Sequence, residues 1–277
     1  MPGGARPALA IDQGGVRTAT VQLRFYAELG DFLSPESRGR EFTHACAAGT
    51  SVKDVIEGLG VPHTEVDLVL VNGASVDFAQ QLVDGDRVSV YPVFEGLDIS
   101  AVTAVRPAAL RVTRFAADVH LGKLAGYLRL CGFDTVYDKA WKDRDLAEVA
   151  VAEHRILLTR DRGLLKRAIV THGYLVRSTD SRRQLAEVLG RFDLWARLRP
   201  FRLCSLCNGA VRPVAKELVA AQLPPRTAAR FQEYWRCDGC GQIYWRGAHY
   251  RSLLRLFSRT GSVASGETPT SEQRDSD

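Results

Sequence analysis

The segment 155-RILLTRDRGLLKR-167 decides the fold of the central part of the chain. Arg155 to Thr159 read as a short buried strand. The chain then turns and presents Asp161 between two arginines, Arg160 and Arg162, before a second apolar run, Gly163 to Leu165. Three apolar residues, Ile156 to Leu158, closed by Thr159 and a turn, fit a short strand buried on both faces, as in a parallel sheet with helices on either side. A carboxylate leaving such a strand stands where open α/β sheets bind ligands, outside the carboxyl ends of the strands.

Working outward, residues 111–197 alternate strand and helix. RVTRFAAD reads as a strand ending at Asp118, and DTVYD, RILLT and GYLVRS as three more. LGKLAGYLRLCG sets Leu121, Leu124, Leu128 and Cys131 on one helical face, with Gly132 at the C-cap. RDLAEVAVAEH and RRQLAEVLGRF read as further helices. The alternation predicts an α/β sandwich with a mostly parallel sheet. Asp118 follows the first strand, Asp161 the third and Asp180 the fourth, while Asp143 and Asp145 open the helix after the second. Clustered carboxylates raise one another's pKa and need a counter-charge. A hard divalent cation, Mg²⁺ or Mn²⁺, supplies it through oxygen ligands. Taken singly, Asp143, Asp145, Asp161 and Asp180 each suit a helix cap; taken together at strand ends, Asp118 and Asp161 read as ligands, and the choice stays open for Asp143, Asp145 and Asp180.

Before this region, TVQLRFYA alternates like a strand with Val21, Leu23 and Phe25 on one face. SVKDVIEGLG fits a helix with Ser51 at its N-cap, VDLVLVNG a strand entering an Asn-Gly turn, and DGDRVSVYPVF a closing strand. Strands around one central helix predict a ubiquitin-like β-grasp domain over 17–98. A linker follows at 99–110, then an α/β domain at 111–200. Residues 201–258 hold two C-x-x-C pairs, Cys204/Cys207 and Cys237/Cys240. Thiolates at that spacing turn toward one tetrahedral ion, so the four predict a closed, structural zinc ribbon. KELVAAQLPPRTAARFQEYW reads as a helical insertion between the two pairs, broken by Pro224 and Pro225. Arginines and aromatics around the second pair, Trp235, Tyr244, Trp245 and Arg246 among them, either stack on bases or form the ribbon's small core. Residues 1–16 and 259–277 have the Gly-, Ser- and Thr-rich composition of disordered ends.

The charge is segregated. Residues 17–99 carry 6 Lys/Arg against 13 Asp/Glu, residues 100–200 carry 19 against 11, and residues 201–262 carry 10 against 3. An acidic module ahead of a basic two-thirds implies separate modules, the basic part attracting a polyanion. No apolar run reaches the length of a membrane span. The start lacks the apolar run of a signal peptide, so a cytoplasmic setting is expected.

The segments DVHLGKLAGYLRLCGFDT, RILLTRDRGLLKR and GYLVRSTD together resemble the Mut-seven C-terminal RNase family, which is placed among the PIN-like nucleases. The resemblance implies a metal-dependent ribonuclease whose acidic residues hold Mg²⁺ or Mn²⁺. By position it assigns that role to Asp118, Asp143 and Asp161, with Asp145 in reserve. A PIN domain has a further acidic residue just after the T-R-D motif. Here Gly163, Leu164 and Leu165 stand there, which leaves Asp180 as the alternative. Lys123, Arg160 and Arg162 are the expected contacts to the RNA backbone. Residues 18–95 resemble sulfur-carrier β-grasp proteins and fit the ubiquitin-like domain fused ahead of Mut-seven C-terminal domains. A sulfur carrier works through a free Gly-Gly terminus, whereas VFEGLD has one glycine, Gly96, and runs on. The domain's acidity opposite the basic nuclease leaves two roles, docking on the active-site face to regulate access or recruiting a protein partner. The rival expectation for the whole chain is a non-catalytic RNA-binding or adaptor protein.

Overall fold

The computed structural model describes residues 17–93, 99, 101–105 and 113–247. The ends expected to be disordered, the end of the linker and the last part of the ribbon segment lie outside the described residues. The chain divides into two compact units. One comprises residues 1–122 and 136–176, the other residues 123–135 and 177–277.

The first unit begins with a five-stranded mixed sheet. Its strands are β1 (Thr18–Phe25), β2 (Phe42–Ala47), β3 (Val66–Val71), β4 (Ala74–Ser75) and β5 (Arg87–Pro92), in the order β2-β1-β5-β3-β4. β1 and β5 run parallel and the other pairs antiparallel. Alternation in β1 buries Val21, Leu23 and Phe25, as the sequence predicts. Helix α1 (Val52–Gly58) buries Val52, Val55 and Ile56. Ser51 caps it, its Oγ accepting from the Asp54 amide at 3.1 Å. The Asn-Gly hairpin forms as expected, with positive φ at Asn72 (52°) and Gly73 (85°). This is the ubiquitin-like domain.

The same unit holds most of a second sheet. It contains β6 (Phe115–Ala117), β7 (Thr135–Val136), β8 (Ile156–Thr159) and β9 (Gly173–Leu175), in the order β7-β6-β8-β9. Between them run α2 (Gly122–Leu130), α3 (Asp143–Ala152) and the single turn α4 (Arg162–Leu165). β6–β8 and β8–β9 pair in parallel. All four residues of β8 are buried, which is why it reads as an unbroken apolar run. From β6 the chain passes outward to β7, then returns to β8 on the other side of β6. The strand order therefore reverses between β6 and β8, which is the topological switch point of this sheet.

One apolar cluster runs through the unit. It joins Val21, Leu23, Val55, Ile56, Val69 and Val90 of the ubiquitin-like domain to Leu146, Ala147, Leu157, Leu164, Leu165 and Leu175. Polar contacts fix the register of this packing. The turn His63–Glu65 is buried throughout. Glu65 is fully buried, and its Oε1 accepts from the Leu175 amide at 2.6 Å. The carboxylate thereby serves a backbone group of β9, the last strand in the sheet order. His63 Nδ1 lies 2.7 Å from Glu57 Oε1, and its Nε2 lies 2.7 Å from the Val170 carbonyl.

In the second unit, α5 (Ser181–Arg191) precedes a three-stranded antiparallel sheet of β10 (Val211–Val214), β11 (Tyr234–Cys237) and β12 (Ile243–Tyr244). The helical insertion expected between the cysteine pairs is instead two 3₁₀ turns, Lys216–Leu218 and Ala220–Gln222, and the six-residue α6 (Pro225–Arg230). The tandem prolines explain the difference. Leu223, ahead of Pro224, is extended at ψ 139°, so the helical path stops there and restarts only with Pro225 in its first turn. Val219 and Leu223 nevertheless pack on Tyr234 and Ile243 as a small core.

Replacing Glu65 by alanine leaves the buried Leu175 amide without this acceptor. The expected cost is about 1–3 kcal/mol, read as a lower urea midpoint of the full chain. An unchanged midpoint would show that the contact contributes nothing.

Candidate functional site

Two clusters of chemistry-bearing side chains stand out, one in each unit. The first lies at the switch point. β6 ends at Ala117, and Asp118 follows with its amide donating to the Leu158 carbonyl at 3.0 Å, so the residue is still tied to β8. Asp118 is only 6% exposed. β8 ends at Thr159, whose side chain is fully buried. The Thr159 hydroxyl donates to Asp118 Oδ2 at 2.6 Å and accepts from the Asp161 amide at 2.9 Å. One hydroxyl thus ties the end of β6 to the turn after β8. Asp161 is exposed, and its Oδ1 accepts from the Gly163 amide at 2.7 Å, capping α4.

The other expected site residues take varied positions. Asp143 is the first residue of α3 and exposed. Asp145 accepts from the Lys142 amide at 3.2 Å as part of the start of that helix. Asp180 caps α5, accepting from the Arg182 and Arg183 amides at 3.1 and 3.0 Å. Lys123 is exposed on the first turn of α2, and Arg160 is exposed beside Asp161. The Arg162 guanidinium lies 5.2 Å from the centroid of the Phe32 ring. Among the described residues, Asp118, Asp143 and Asp161 do not gather three ligand atoms at one point, as the four cysteines do. The donor set still fits a hard divalent ion, since Mg²⁺ keeps several waters and is commonly held by one or two carboxylates plus substrate phosphate.

The second cluster is Cys204, Cys207, Cys237 and Cys240. Their sulfurs lie within 4.8 Å of one another. Cys204 and Cys240 stand 3.5 Å apart, and Cys207 and Cys237 3.4 Å. A zinc–sulfur distance of about 2.3 Å separates the sulfurs of a tetrahedron by about 3.8 Å, so four nearby thiols at this spacing fit zinc. All six cysteines are free of disulfides. The amides of Gly239 and Cys240 point at Cys237 Sγ at 3.3 and 3.5 Å, the geometry of a knuckle. Burial opposes ionisation of Cys204. Hydrogen bonds from the Tyr244 hydroxyl, the Cys207 and Leu206 amides and Cys240 outweigh it and draw the thiol down to about 6. At Cys240 the Gln242 amide favours the thiolate, yet burial and the neighbouring cysteines push the thiol up to about 12. An early thiolate at Cys204 helps to hold back Cys207 and Cys240, and a cation relieves that repulsion.

Two residues that the sequence reading passed over hold the first knuckle. Arg129 of α2 is 4% exposed. Its Nε donates to the Thr135 carbonyl at 2.7 Å, and its Nη1 to the Ser205 and Leu206 carbonyls at 3.2 and 2.9 Å. Burial lowers its pKa, opposed by Cys204, Cys207 and Asp134. Asn208, at φ 64°, accepts from the Thr135 amide at 3.2 Å and donates to Asp134 at 2.7 Å. Trp235 stacks on Phe201, with ring centroids 4.4 Å apart, and carries Arg246 at 5.4 Å, so this ring belongs to an internal stack.

The fold and these clusters define a mixed α/β protein with a ubiquitin-like domain, aspartates at the sheet edge and four cysteines spaced to fit a zinc ribbon. Residues 113–257, more than half of the chain, match the Mut7-C RNAse domain, and residues 18–98 match the Mut7-C ubiquitin family. The chain belongs to the Mut7-C RNAse domain family, which points to a nuclease. No curated protein matches it. Two solved structures from Haloferax volcanii resemble part of it. The solution structure of the HVO 2177 protein is 27% identical, covers 34% of this chain and 100% of its own, and has a TM-score of 0.25. The crystal structure of SAMP1 is 15% identical, covers 28% of this chain and 100% of its own, and has a TM-score of 0.23. Among the described residues, no helix is long and apolar enough to cross a membrane.

Purified full-length chain should carry one zinc per molecule by elemental analysis, and Cys207→Ser should lower that figure. Because the ligands must lose protons to bind, zinc affinity in a chelator competition should rise with pH through the neutral range and fall below it. Arg129→Met removes donors from three carbonyls. It should speed zinc release and cost at least about 1–3 kcal/mol of stability; unchanged release would show that the knuckle needs no clamp.

Proposed function

We propose that the protein is a metal-dependent ribonuclease whose reaction takes place at the switch point between β6 and β8. The observation that supports this reading is the Thr159 hydroxyl, which ties the Asp118 carboxylate to the backbone amide of Asp161 at the place where α/β sheets bind their ligands. Family membership supports the reaction class.

In this reading Asp118 and Asp161, joined by Asp143, hold Mg²⁺ or Mn²⁺. A bound ion would lower the pKa of water and stabilise charge developing on the scissile phosphate. Thr159 keeps Asp118 oriented, and its hydrogen bond is accepted by one oxygen of a carboxylate that has little water around it. Arg160 contacts the RNA backbone, with Lys123 as the other expected cation, while Arg162 lies over the Phe32 ring. Phosphate contacts position the strand without reading its sequence. Asp145 and Asp180 act as helix caps, consistent with their hydrogen bonds. Zinc on the four cysteines is structural, because a Cys₄ site leaves no open position. The free thiols fit a reducing, cytoplasmic setting, and the ubiquitin-like domain offers a surface for a protein partner.

A second reading, a non-catalytic RNA-binding or adaptor protein, is favoured by one observation. The three aspartates do not converge on one point as the cysteines do. Cleavage of single-stranded and structured RNA by wild type and Asp161→Asn, with Mn²⁺, Mg²⁺ or EDTA, separates the two. The nuclease reading expects cleavage that needs both the ion and Asp161. RNA left intact in every lane, with binding retained in a shift assay, would favour the adaptor.

A further inference from the structure

The turn α4 has only four residues, and Asp161 caps it. A single turn makes too few hydrogen bonds to hold its own place, so its position depends on what grips it. Leu164 and Leu165 are buried in the apolar cluster that also contains the ubiquitin-like core. Both cationic ends of the turn are taken by the ubiquitin-like domain. At the start, the Arg162 guanidinium sits over Phe32. At the end, Lys166 Nζ donates to the Glu57 carbonyl at 2.5 Å. The same Glu57 extends its carboxylate to His63, and His63 reaches on to the Val170 carbonyl, four residues past Lys166. The two links bracket the segment 162–170 from the side of α1.

We propose that the ubiquitin-like domain is a positioning element of the acidic site: Phe32, Glu57 and His63 hold α4, and through it the carboxylate of Asp161. The inference rests on the reading of Asp161 as a carboxylate of a nuclease site. None of the three residues touches substrate. They act through α4, whose cap is the Asp161 side chain itself. A consequence is that Arg162 and Lys166 are committed to the domain contact. Arg160, exposed and next to Asp161 in the chain, is then the cation left to face RNA, with the exposed Arg167 past the end of the turn.

The test uses full-length Phe32→Leu and His63→Gln, with Val88→Ala as a control in the ubiquitin-like core. The readouts are hydrogen–deuterium exchange over residues 161–166, Mn²⁺ binding by calorimetry, and the Mn²⁺ concentration giving half-maximal cleavage. Changes to groups supporting a metal site lower affinity by roughly 10–100-fold. Phe32→Leu and His63→Gln should therefore weaken Mn²⁺ binding about 10-fold and speed exchange at 161–166, while the rate at saturating Mn²⁺ is kept. Val88→Ala should move neither at an equal loss of melting temperature. Equal effects in all three variants, or faster exchange with unchanged Mn²⁺ binding, would overturn the proposal. Asp161→Asn run in parallel separates the two levels. Cleavage that survives it contradicts the nuclease site itself, whereas cleavage lost in it but unaltered in the Phe32 and His63 variants contradicts only the positioning role.

Discussion

The hydroxyl of Thr159 joins the two halves of the sheet edge on which the functional account depends. It is fully buried, donates to Asp118 and accepts from the Asp161 amide. A buried carboxylate is costly unless it is hydrogen-bonded and its charge is met. Here the hydrogen bond comes from the neighbouring strand, so Asp118 is held by the same pairing of β6 and β8 that defines the switch point. The turn after β8 is fixed from the same oxygen. Sheet topology, local hydrogen bonding and the placement of the acidic pair are therefore one arrangement.

That arrangement is reinforced from a distance. The ubiquitin-like domain shares its apolar cluster with β8, β9 and α4, and contributes Glu65 to the backbone of β9. A domain that was only tethered would be held by its linker. This one supplies a buried carboxylate, a buried histidine and an aromatic ring to its neighbour. In the second unit the same logic recurs on a smaller scale. Arg129 and Asn208 bind the first cysteine knuckle to the segment that ends α2, so the metal cluster is anchored to the fold by more than its own loops.

Much of this was legible in the sequence where the signal is local. The apolar run of β8, the aspartates at strand ends, the Asn-Gly hairpin, the Ser51 cap and the two C-x-x-C pairs all follow from spacing within about ten residues. The bridging role of Thr159 was hidden, because a threonine at a strand end reads as ordinary β propensity. The contacts of His63 with Val170 and of Glu65 with Leu175 join residues more than a hundred positions apart, and no periodicity carries that information. Arg129 looked like one more helix cation, and the length of the insertion after β10 outweighed the two prolines that break it. Of the candidate site, the residue types were readable, but not which of them meet. The neighbours of Arg162 and Lys166 were equally hidden, since the Phe32 ring and the Glu57 carbonyl lie more than a hundred positions away.

The most direct test of the central claim is an anomalous difference map from crystals of the full-length chain soaked in Mn²⁺, collected at the manganese edge. The account predicts a peak in contact with the carboxylates of Asp118 and Asp161, separate from the zinc signal at the four cysteines. A map with the zinc peak alone, from crystals in which both aspartates are ordered, would contradict it.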